Sequence, residues 1–219
     1  MLAVSSSLAA AGTDLRSNRQ ADLADLVRER VNEKEQLEEQ ARELRDEVDR
    51  LSAKVAGKQG NPARDRARKL GREVGLTPVR GSGVTVVLDD APTEMRNQID
   101  GGVNALVVHQ QDIQAVANAL WAAGAEAMTI QDQRVISTSA IRCVGNSVVL
   151  HGVPYPPPYR VSAIGDPKAM QAALETAPGV QRYLLDVDRY KLGYDVQTVD
   201  DLRLDGFDGS IDLAYASKG

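Results

Sequence analysis

The fold of this chain is decided by residues 107–167, VVHQQDIQAVANALWAAGAEAMTIQDQRVISTSAIRCVGNSVVLHGVPYPPPYRVSAIGDP. The stretch combines dense apolar patterning with turn and capping signals, so we expect it to form the core of a domain. A helix is predicted from Gln110 to Ala123 and is ended by Gly124. Short strands are predicted at 125–130, 134–136, 147–151 and 160–164. The proline-rich run 154–159 is interpreted as an extended spacer between two strands.

The pattern extends on the N-terminal side to about residue 78. Gly81 to Gly83 predicts a turn, 84–88 a β-branched strand and 89–92 a second turn. The Gly-x-Gly precedes a strand and opens no helix, so it is not a dinucleotide fingerprint. Residues 93–104 are predicted to be a mobile loop, and 106–108 an edge segment or the lead-in to the helix.

The pattern also extends on the C-terminal side. Asp166 is a good N-cap with Pro167 at the first helical position, which predicts a helix to about Thr176. A further helix is predicted over 180–190 and a last strand over 194–199. We predict a compact domain at 78–205, followed by an acidic tail at 206–219.

A long charged helix is predicted at 13–57, because the sequence has neither Gly nor Pro between Thr13 and Gly57. Apolar residues alternate there in steps of four and three, the heptad pattern of a coiled coil. A helix this polar is not stable on its own packing, so we expect a partner helix, most simply from a second copy. The alternative is a monomeric helix held by Glu/Arg pairs. The predicted seam comprises Leu37, Ala41, Leu44, Val48, Leu51 and Val55.

The segments that flank this helix carry two further predictions. Residues 1–12, MLAVSSSLAAAG, are interpreted either as the remnant of an apolar export or anchor segment or as a disordered start. Residues 58–77 form a linker, broken by Gly60 and Pro62, and a short basic helix beginning near Ala63. That basic run is interpreted as a solvated face, the alternative being contact with an anionic polymer or membrane headgroups.

Composition limits the classes of function. The charge balance is −3 over residues 1–57, +5 over 58–80 and −7 over 81–219. An acidic main domain argues against nucleic acid as the principal partner, because neutralising phosphates requires a basic face. Cys143 is the single cysteine, which excludes an internal disulfide and a cysteine zinc site. We interpret it as a core side chain.

The predicted helix at 110–123 carries a polar flank outside its apolar stripe. Gln111, Gln114, Asn118 and Trp121 share this flank at 100° per residue. They are either a water-facing edge of the domain or a polar-aromatic contact surface for a partner. This flank is our candidate partner surface.

Two arginines and nearby hydroxyl groups suggest a second candidate site. Arg134 and Arg142, with Ser137, Thr138 and Ser139, would cradle an anion if the fold brings them onto one rim. We find no nucleophile with a nearby base, no metal-ligand cluster and no phosphate loop, and we predict no enzyme activity, cofactor or metal. His109 and His151 are interpreted as ordinary packed or surface histidines, and Asp89-Asp90 as turn chemistry.

The compact domain resembles the bacterial DUF881 family. The similarity lies in GSGVTVVLDDAP (81–92), VHQQDIQAVANALWAAGAEAMTIQDQRV (108–135), STSAIRCVGNSVVLHG (137–152) and PPYRVSAIGDP (157–167). The resemblance implies an α+β fold of the ferredoxin-like plait type, preceded by a membrane-spanning helix and a coiled coil outside the cytoplasm. It also implies a link to the cell envelope and division machinery, and it carries no catalytic residues.

We therefore expect a non-enzymatic envelope or division scaffold on the extracytoplasmic side of the cell membrane. Its coiled coil forms a homodimer and presents the α/β domain to envelope or division proteins, with a membrane anchor upstream of the coil. The alternative function is a ligand-sensing domain that binds a small anion or nucleotide at the Arg134/Arg142 rim.

Overall fold

The computed structural model of the chain describes residues 62–96, 103–144 and 147–209, together with individual residues between 29 and 54. The chain divides into two compact units, residues 1–58 and 59–219. In the first unit every described residue is α-helical. The predicted apolar segment 1–12, the seam residues Ala41 and Val55 and the linker at 57–61 lie outside the described residues.

The second unit combines helices and short strands. Its helices are α1 (Pro62–Glu73), α2 (Thr93–Arg96), α3 (Gln110–Ala122), α4 (Pro167–Thr176) and α5 (Pro178–Tyr190), with a 3₁₀ helix at Val103–Leu106. Its strands are β1 (Val79–Asp89), β2 (Ala127–Ile130), β3 (Gln133–Arg134), β4 (Ile141–Val144), β5 (Ser147–Leu150), β6 (Val153–Tyr155), β7 (Tyr159–Ile164) and β8 (Gly193–Leu204).

The strands form two antiparallel sheets. The larger has the order β3-β2-β7-β1-β8, and the smaller has the order β4-β5-β6. The register of the larger sheet places Ser162 opposite both Thr129 and Thr85. Helix α3 connects β1 to β2, and helices α4 and α5 connect β7 to β8. Mixed composition with antiparallel sheets is an α+β architecture, as the sequence predicted.

The main core packs the helices against one face of the larger sheet. Val84, Val86 and Leu88 of β1 are fully buried, because alternate side chains of a strand point to the same face. Burying each such side chain stabilises the fold by about 1.5–3 kcal/mol. The helices contribute Ile113, Val116 and Leu120 of α3, Met170 and Leu174 of α4, and Val180 and Tyr183 of α5.

A smaller cluster and a row of hydroxyl groups belong to the strand positions that alternate with the main core. Ala127, Ile164 and Leu204 form this second cluster. Thr129, Ser162 and Thr85 are buried in neighbouring strands, and the Thr85 and Ser162 hydroxyl oxygens are 3.0 Å apart. The hydrogen bond between them offsets the cost of burying both groups.

Strands β1 and β8 are longer than the sequence predicted, and β8 spans Gly193–Leu204 where a strand over 194–199 was expected. β1 begins at Val79 because the strand continues through Gly81-Ser-Gly83, which the sequence analysis assigned to a turn. The β1–β8 register shifts between Gly81 and Gly83, and such a bulge keeps both residues within the ladder. A Cβ at position 83 would collide with the backbone oxygen of Ala163, so glycine is required there.

Other predicted boundaries also change. The prediction of a loop at 93–104 is wrong at both ends, where α2 and the 3₁₀ helix lie. Leu106 and Val108 are the buried lead-in to α3 rather than an edge strand, and the Val108 amide donates to Asp90 Oδ1. The C-terminal side behaves as predicted at Asp166, whose side chain caps α4 by accepting from the Lys168 amide at 3.0 Å.

Candidate functional site

The predicted partner surface lies on α3, and most of it lines one groove. This groove of about 650 Å³ runs between α3 and the junction of α4 and α5. Gln111, Gln114 and Asn118 line it, and Gln111 and Asn118 are exposed. Across the groove lie Thr176 and Arg182. The structure therefore brings three of the four predicted residues together.

Small side chains form the floor of this groove. Alanines at 115, 119, 122, 173 and 177 line it together with Pro178 and Gly179. A Cβ at Gly179 would lie 2.7 Å from the Cβ of Ala115, so α3 and α5 approach closely at this point. The small side chains leave space in the groove, and the amide side chains supply donors and acceptors along it.

The fourth predicted residue, Trp121, lines a different cavity of about 590 Å³. Its side chain is 38% exposed. The walls combine the end of α1, the start of β2 and the segment after β3. The lining residues are Arg72, Glu73, Val74, Gly75, Trp121, Glu126, Arg134, Val135, Ile136, Ser137 and Thr138.

Arg134 is the buried cation of this cavity, with 6% of its surface exposed. Its Nη1 donates to the backbone oxygens of Thr77 at 3.2 Å and Asp205 at 2.9 Å. Its Nε is buried and has no acceptor among the described residues. Burial lowers the pKa of the guanidinium below its ordinary value. An unpaired buried donor of this kind costs about 1–3 kcal/mol.

The other members of the predicted anion rim do not all lie beside Arg134. Ser137 is exposed and lines the cavity beside Arg134. Arg142 lies on β4 of the smaller sheet, is exposed and is not among the residues that line this cavity. The Ser139 hydroxyl accepts from the Ile136 amide at 2.9 Å and lies 2.8 Å from His151 Nε2. The structure thus combines Arg134 with Ser137 and Trp121 rather than with Arg142.

The contact between Ser139 and His151 corrects the expectation that no nucleophile lies beside a base. His151 Nδ1 is 3.2 Å from Gln133 Oε1, so a Gln-His-Ser chain of hydrogen bonds is present. The same serine oxygen accepts the Ile136 amide, and the His151 ring contacts Phe207 edge-on at 5.1 Å. These bonds join the loop after β3 to the turn between β5 and β6. Twelve residues separate Ser139 from His151, and no short motif reveals such a pair.

The sequence analysis expected Cys143 to be a core side chain, and this expectation is wrong. The side chain is exposed. It lies on β4 and pairs with the start of α3. Its amide donates to Gln110 Oε1 at 2.9 Å, and its Sγ accepts from the Gln110 amide at 3.2 Å. These bonds attach the smaller sheet to the helix. Asp89 accepts the amide of Asp90, and Asp90 accepts the amide of Val108, 18 residues later, so the Asp90 side chain ties the end of β1 to the lead-in to α3 rather than closing a local turn.

His109 and Asp112 belong to the first turn of α3. His109 is the N-cap, and its amide donates to Asp112 Oδ2 at 2.8 Å. Burial raises the pKa of the Asp112 carboxyl, and the hydrogen bond from His109 opposes part of that shift. Both residues line a small cavity of about 320 Å³ with Asp186. Within the described part of the chain, no group of three or more His, Cys, Asp or Glu side chains could hold a metal ion.

The sequence analysis missed the residues of α1 that help to form the Trp121 cavity. Arg72 and Glu73, at the end of this helix, and Val74, directly after it, line the cavity. Val74 is 52% exposed. An apolar residue directly after a charged helix is the signal that could have indicated the cavity. Among the described helices, none is both long enough and apolar enough to span a bilayer.

The fold of the second unit defines it as an α+β domain with antiparallel sheets. The chain belongs to the family described as "Bacterial protein of unknown function (DUF881)", whose model matches residues 66–217. This match confirms the family resemblance of the sequence motifs.

The chain is similar to proteins whose names state no function. It is 38% identical over 107 residues to UPF0749 protein YlxW of Bacillus subtilis, covering 49% of this chain and 45% of that protein. It is 33% identical over 132 residues to UPF0749 protein Rv1823 of Mycobacterium tuberculosis, covering 58% and 43%. The chain therefore matches less than half the length of these relatives.

A solved structure supports the fold at the level of the backbone. The crystal structure of an uncharacterized conserved protein from Mycobacterium tuberculosis is similar, with a TM-score of 0.53 and 28% sequence identity. The similarity covers 70% of this chain and 99% of that chain.

Proposed function

We propose that this protein is a non-enzymatic scaffold of the bacterial cell envelope or division machinery that self-associates through its N-terminal helix. The observation that carries the proposal is an exposed apolar stripe at heptad spacing. Leu37, Leu44 and Leu51 recur every seven residues and are 58%, 63% and 47% exposed in a single chain. Val48, between two of them, is 61% exposed.

The residue types along the stripe favour a parallel pair of helices. Leucines occupy one seam position, and Val48 and Val55 with Ala41 occupy the other. A β-branched residue at position a with leucine at position d favours two parallel strands. A second copy of this helix would cover the four exposed side chains. Glu/Arg pairs such as Arg30 with Glu33 lie at three-residue spacing on the helix surface, where each contributes little to stability.

The topology supports the ferredoxin-like plait that the resemblance implies. Strands β1, β2, β7 and β8 are its four strands in this proposal, and they lie in the spatial order β2-β7-β1-β8. Helices occupy the connections from β1 to β2 and from β7 to β8. This is the βαββαβ pattern of a split βαβ fold, with β3 to β6 inserted before β7.

The groove along α3 is the surface that the domain would present to a partner. Gln111, Gln114 and Asn118 give it hydrogen-bonding groups, of which Gln111 and Asn118 are exposed, and its alanines add apolar area. Interfaces of this mixed character suit contacts between proteins. The proposed position of the domain is outside the cytoplasm, behind a membrane anchor. That location rests on the family resemblance and on the apolar composition of residues 1–12.

Sedimentation equilibrium of the whole chain tests self-association. We expect a dimer at tens of micromolar, and a monomer when Leu44→Asp and Leu51→Asp are combined, because two carboxylates in the seam lose their apolar contacts and repel their copies. The matched control is Arg50→Asp, which changes the net charge by the same amount from an exposed position outside the seam. Monomeric wild-type protein would contradict the proposal, and so would equal dissociation of the control.

Proximity labelling in the native cell tests the partner surface. The wild-type chain and Asn118→Arg are compared, with Gln197→Arg on β8 as the control. We expect Asn118→Arg to lose envelope or division proteins that the wild type and the control both label. Identical labelling by all three chains would exclude the groove as the contact surface.

A further inference from the structure

The Nε/Nη2 edge of Arg134 is the feature from which we infer a ligand site. Arg134 donates to the backbone oxygens of Thr77 and Asp205 from Nη1 alone, so the Nε/Nη2 edge makes neither of these hydrogen bonds. Nε has no acceptor in the described part of the chain, and Arg134 forms no ion pair with a described carboxylate. A guanidinium is a planar fork whose edges match a carboxylate in a bidentate geometry. A cation that is 94% buried therefore keeps one unused recognition edge.

Another arginine of the same chain shows how this edge is used. Arg80 donates from both Nε and Nη2 to the carboxylate oxygens of Asp201 on the neighbouring strand. Arg80 is exposed and finds its carboxylate within the fold, whereas Arg134 is buried and does not. A bidentate charge-assisted pair is the strongest type of hydrogen bonding available to either arginine.

The backbone of Gly75 lies close to the Arg134 edge. Its backbone has φ +84, and a Cβ there would lie 3.6 Å from Arg134 Nη2 and 3.0 Å from Ile136 Cγ2. Gly75 and Arg134 both line the cavity of about 590 Å³. The Nη2 side of the guanidinium thus adjoins a part of the wall that carries no side chain.

The remaining walls limit the chemistry of the ligand. Trp121, Val74 and Ile136 give the cavity an apolar and aromatic side, and Ser137 and Thr138 add hydroxyl groups. Arg72 is balanced on the rim by Glu73 and Glu126, so the four charged side chains sum to zero. With no net positive charge in its lining, the cavity is better matched to one negative charge than to a phosphate dianion. A single carboxylate on an apolar body can use the buried cation and the aromatic wall.

We propose that this cavity binds a carboxylate carried on an apolar or aromatic body, with the carboxylate on the Nε/Nη2 edge of Arg134 and the body against Trp121. The same chemistry is found in a free aromatic acid and at the C terminus of a peptide that ends in an apolar residue. The site differs from the Arg134/Arg142 rim, because Trp121 and Gly75 replace Arg142. It is independent of self-association through the N-terminal helix.

Tryptophan fluorescence gives a direct readout, because Trp121 is the single tryptophan of the chain. The whole protein is titrated with phenylacetate, N-acetylphenylalanine, phenylacetamide and inorganic phosphate. We expect saturable changes with both acids at millimolar concentration and none with the amide or with phosphate. Tighter binding of N-acetylphenylalanine would assign the ligand to a peptide C terminus, and tighter binding of phenylacetate to a free acid. No change with either acid, or an equal response to the amide, would overturn the proposal.

Three variants assign the response to Arg134. Arg134→Gln should weaken binding of the acids by about tenfold or more, because a charged bidentate pair is lost. Arg142→Gln is the matched control and should bind like the wild type. Because Arg134 also bonds two backbone carbonyls, Ser137→Asp provides a second test at an exposed position of the cavity. Its added charge should also weaken the acids, and unchanged affinity in a folded Ser137→Asp protein would contradict the site.

Discussion

Leucine side chains have opposite environments in the two units of this protein. In the N-terminal helix Leu44 is 63% exposed, whereas Leu88 and Leu120 in the compact unit are fully buried. The compact unit thus buries its core within one chain, and the helix leaves its apolar stripe uncovered. The difference is what the proposal of a self-associating helix and an independently folding domain expects.

The exposed apolar residues of the compact unit follow a different pattern. Val74 and Trp121 line one cavity and do not belong to a heptad stripe. A stripe suits a second helix, because knobs on one helix fit holes on another. A cavity with a buried arginine suits a small chemical group. The two proposals therefore assign different kinds of partner to exposed apolar side chains in the two units.

Truncating one leucine in each unit should give the largest difference in stability between the two units. Leu120→Ala should lower the free energy of unfolding of the compact unit by about 2–5 kcal/mol, because it leaves a cavity in the core. Leu44→Ala should change that free energy by less than about 0.5 kcal/mol, as expected of an exposed position. Urea unfolding followed by Trp121 fluorescence measures both. Equal losses would mean that the helix and the domain unfold as one unit.

A glycine pair tests how tightly the compact unit is packed. Gly83→Ala should destabilise it by about 1–3 kcal/mol or more, because the new methyl group collides with the Ala163 backbone oxygen. Gly71→Ala in α1 is the control, since its Cβ would lie 3.8 Å from Thr77 Cγ2, an ordinary contact. A helical Gly→Ala change of this kind stabilises by about 0.4–1 kcal/mol. Thermal unfolding of both variants should show opposite signs, and a stable Gly83→Ala protein would contradict the packing of β1 against β7.

The Ser139-His151 pair gives a test of the non-enzymatic proposal. If the pair joins two loops, Ser139→Ala should cost about 1–3 kcal/mol of stability, because the Ile136 amide loses its acceptor. A fluorophosphonate probe should leave the wild-type serine unlabelled, as seen by intact mass. Labelling that disappears in Ser139→Ala would instead identify a reactive serine and would refute the absence of enzyme activity.

A smaller effect should appear in the dependence of stability on pH. Burial raises the pKa of Asp112 above the ordinary value of 3.8, so the folded state holds this proton more tightly than the unfolded state. Stability contributed by the protonated carboxyl is present at low pH and is lost as pH rises from 3.8 through the raised pKa. Asp112→Asn should flatten this slope while its amide oxygen still accepts from His109. Urea unfolding at several pH values measures it, and an unchanged slope would exclude Asp112 as its cause.

Local signals in the sequence were sufficient for much of the fold. The cap at Asp166 and the glycine that follows α3 each depend on residues close in sequence. The extension of β1 through Gly81-Ser-Gly83 was not predictable in this way. Glycines in a bulge and in a turn look alike in sequence, and the difference is set by pairing with β8 more than a hundred residues later.

The candidate sites depended still more on long-range contacts. The role of Arg134 is set by carbonyls of Thr77 and Asp205, which are 57 and 71 residues away in sequence. Trp121 shares a helical flank with Asn118 but lines another cavity, because α1 and the segment after β3 approach only the end of α3. The sequence could identify these residues as unusual. It could not determine which of them meet.

The most direct test of a dependent helix and an independent domain is a dilution series of the whole chain. Far-ultraviolet circular dichroism follows total helix content, and Trp121 fluorescence follows the compact unit at the same concentrations. We predict that helix content falls as the dimer dissociates, while the fluorescence spectrum stays constant. Helix content that is independent of concentration in a monomeric protein would contradict the account, and so would a parallel loss of both signals.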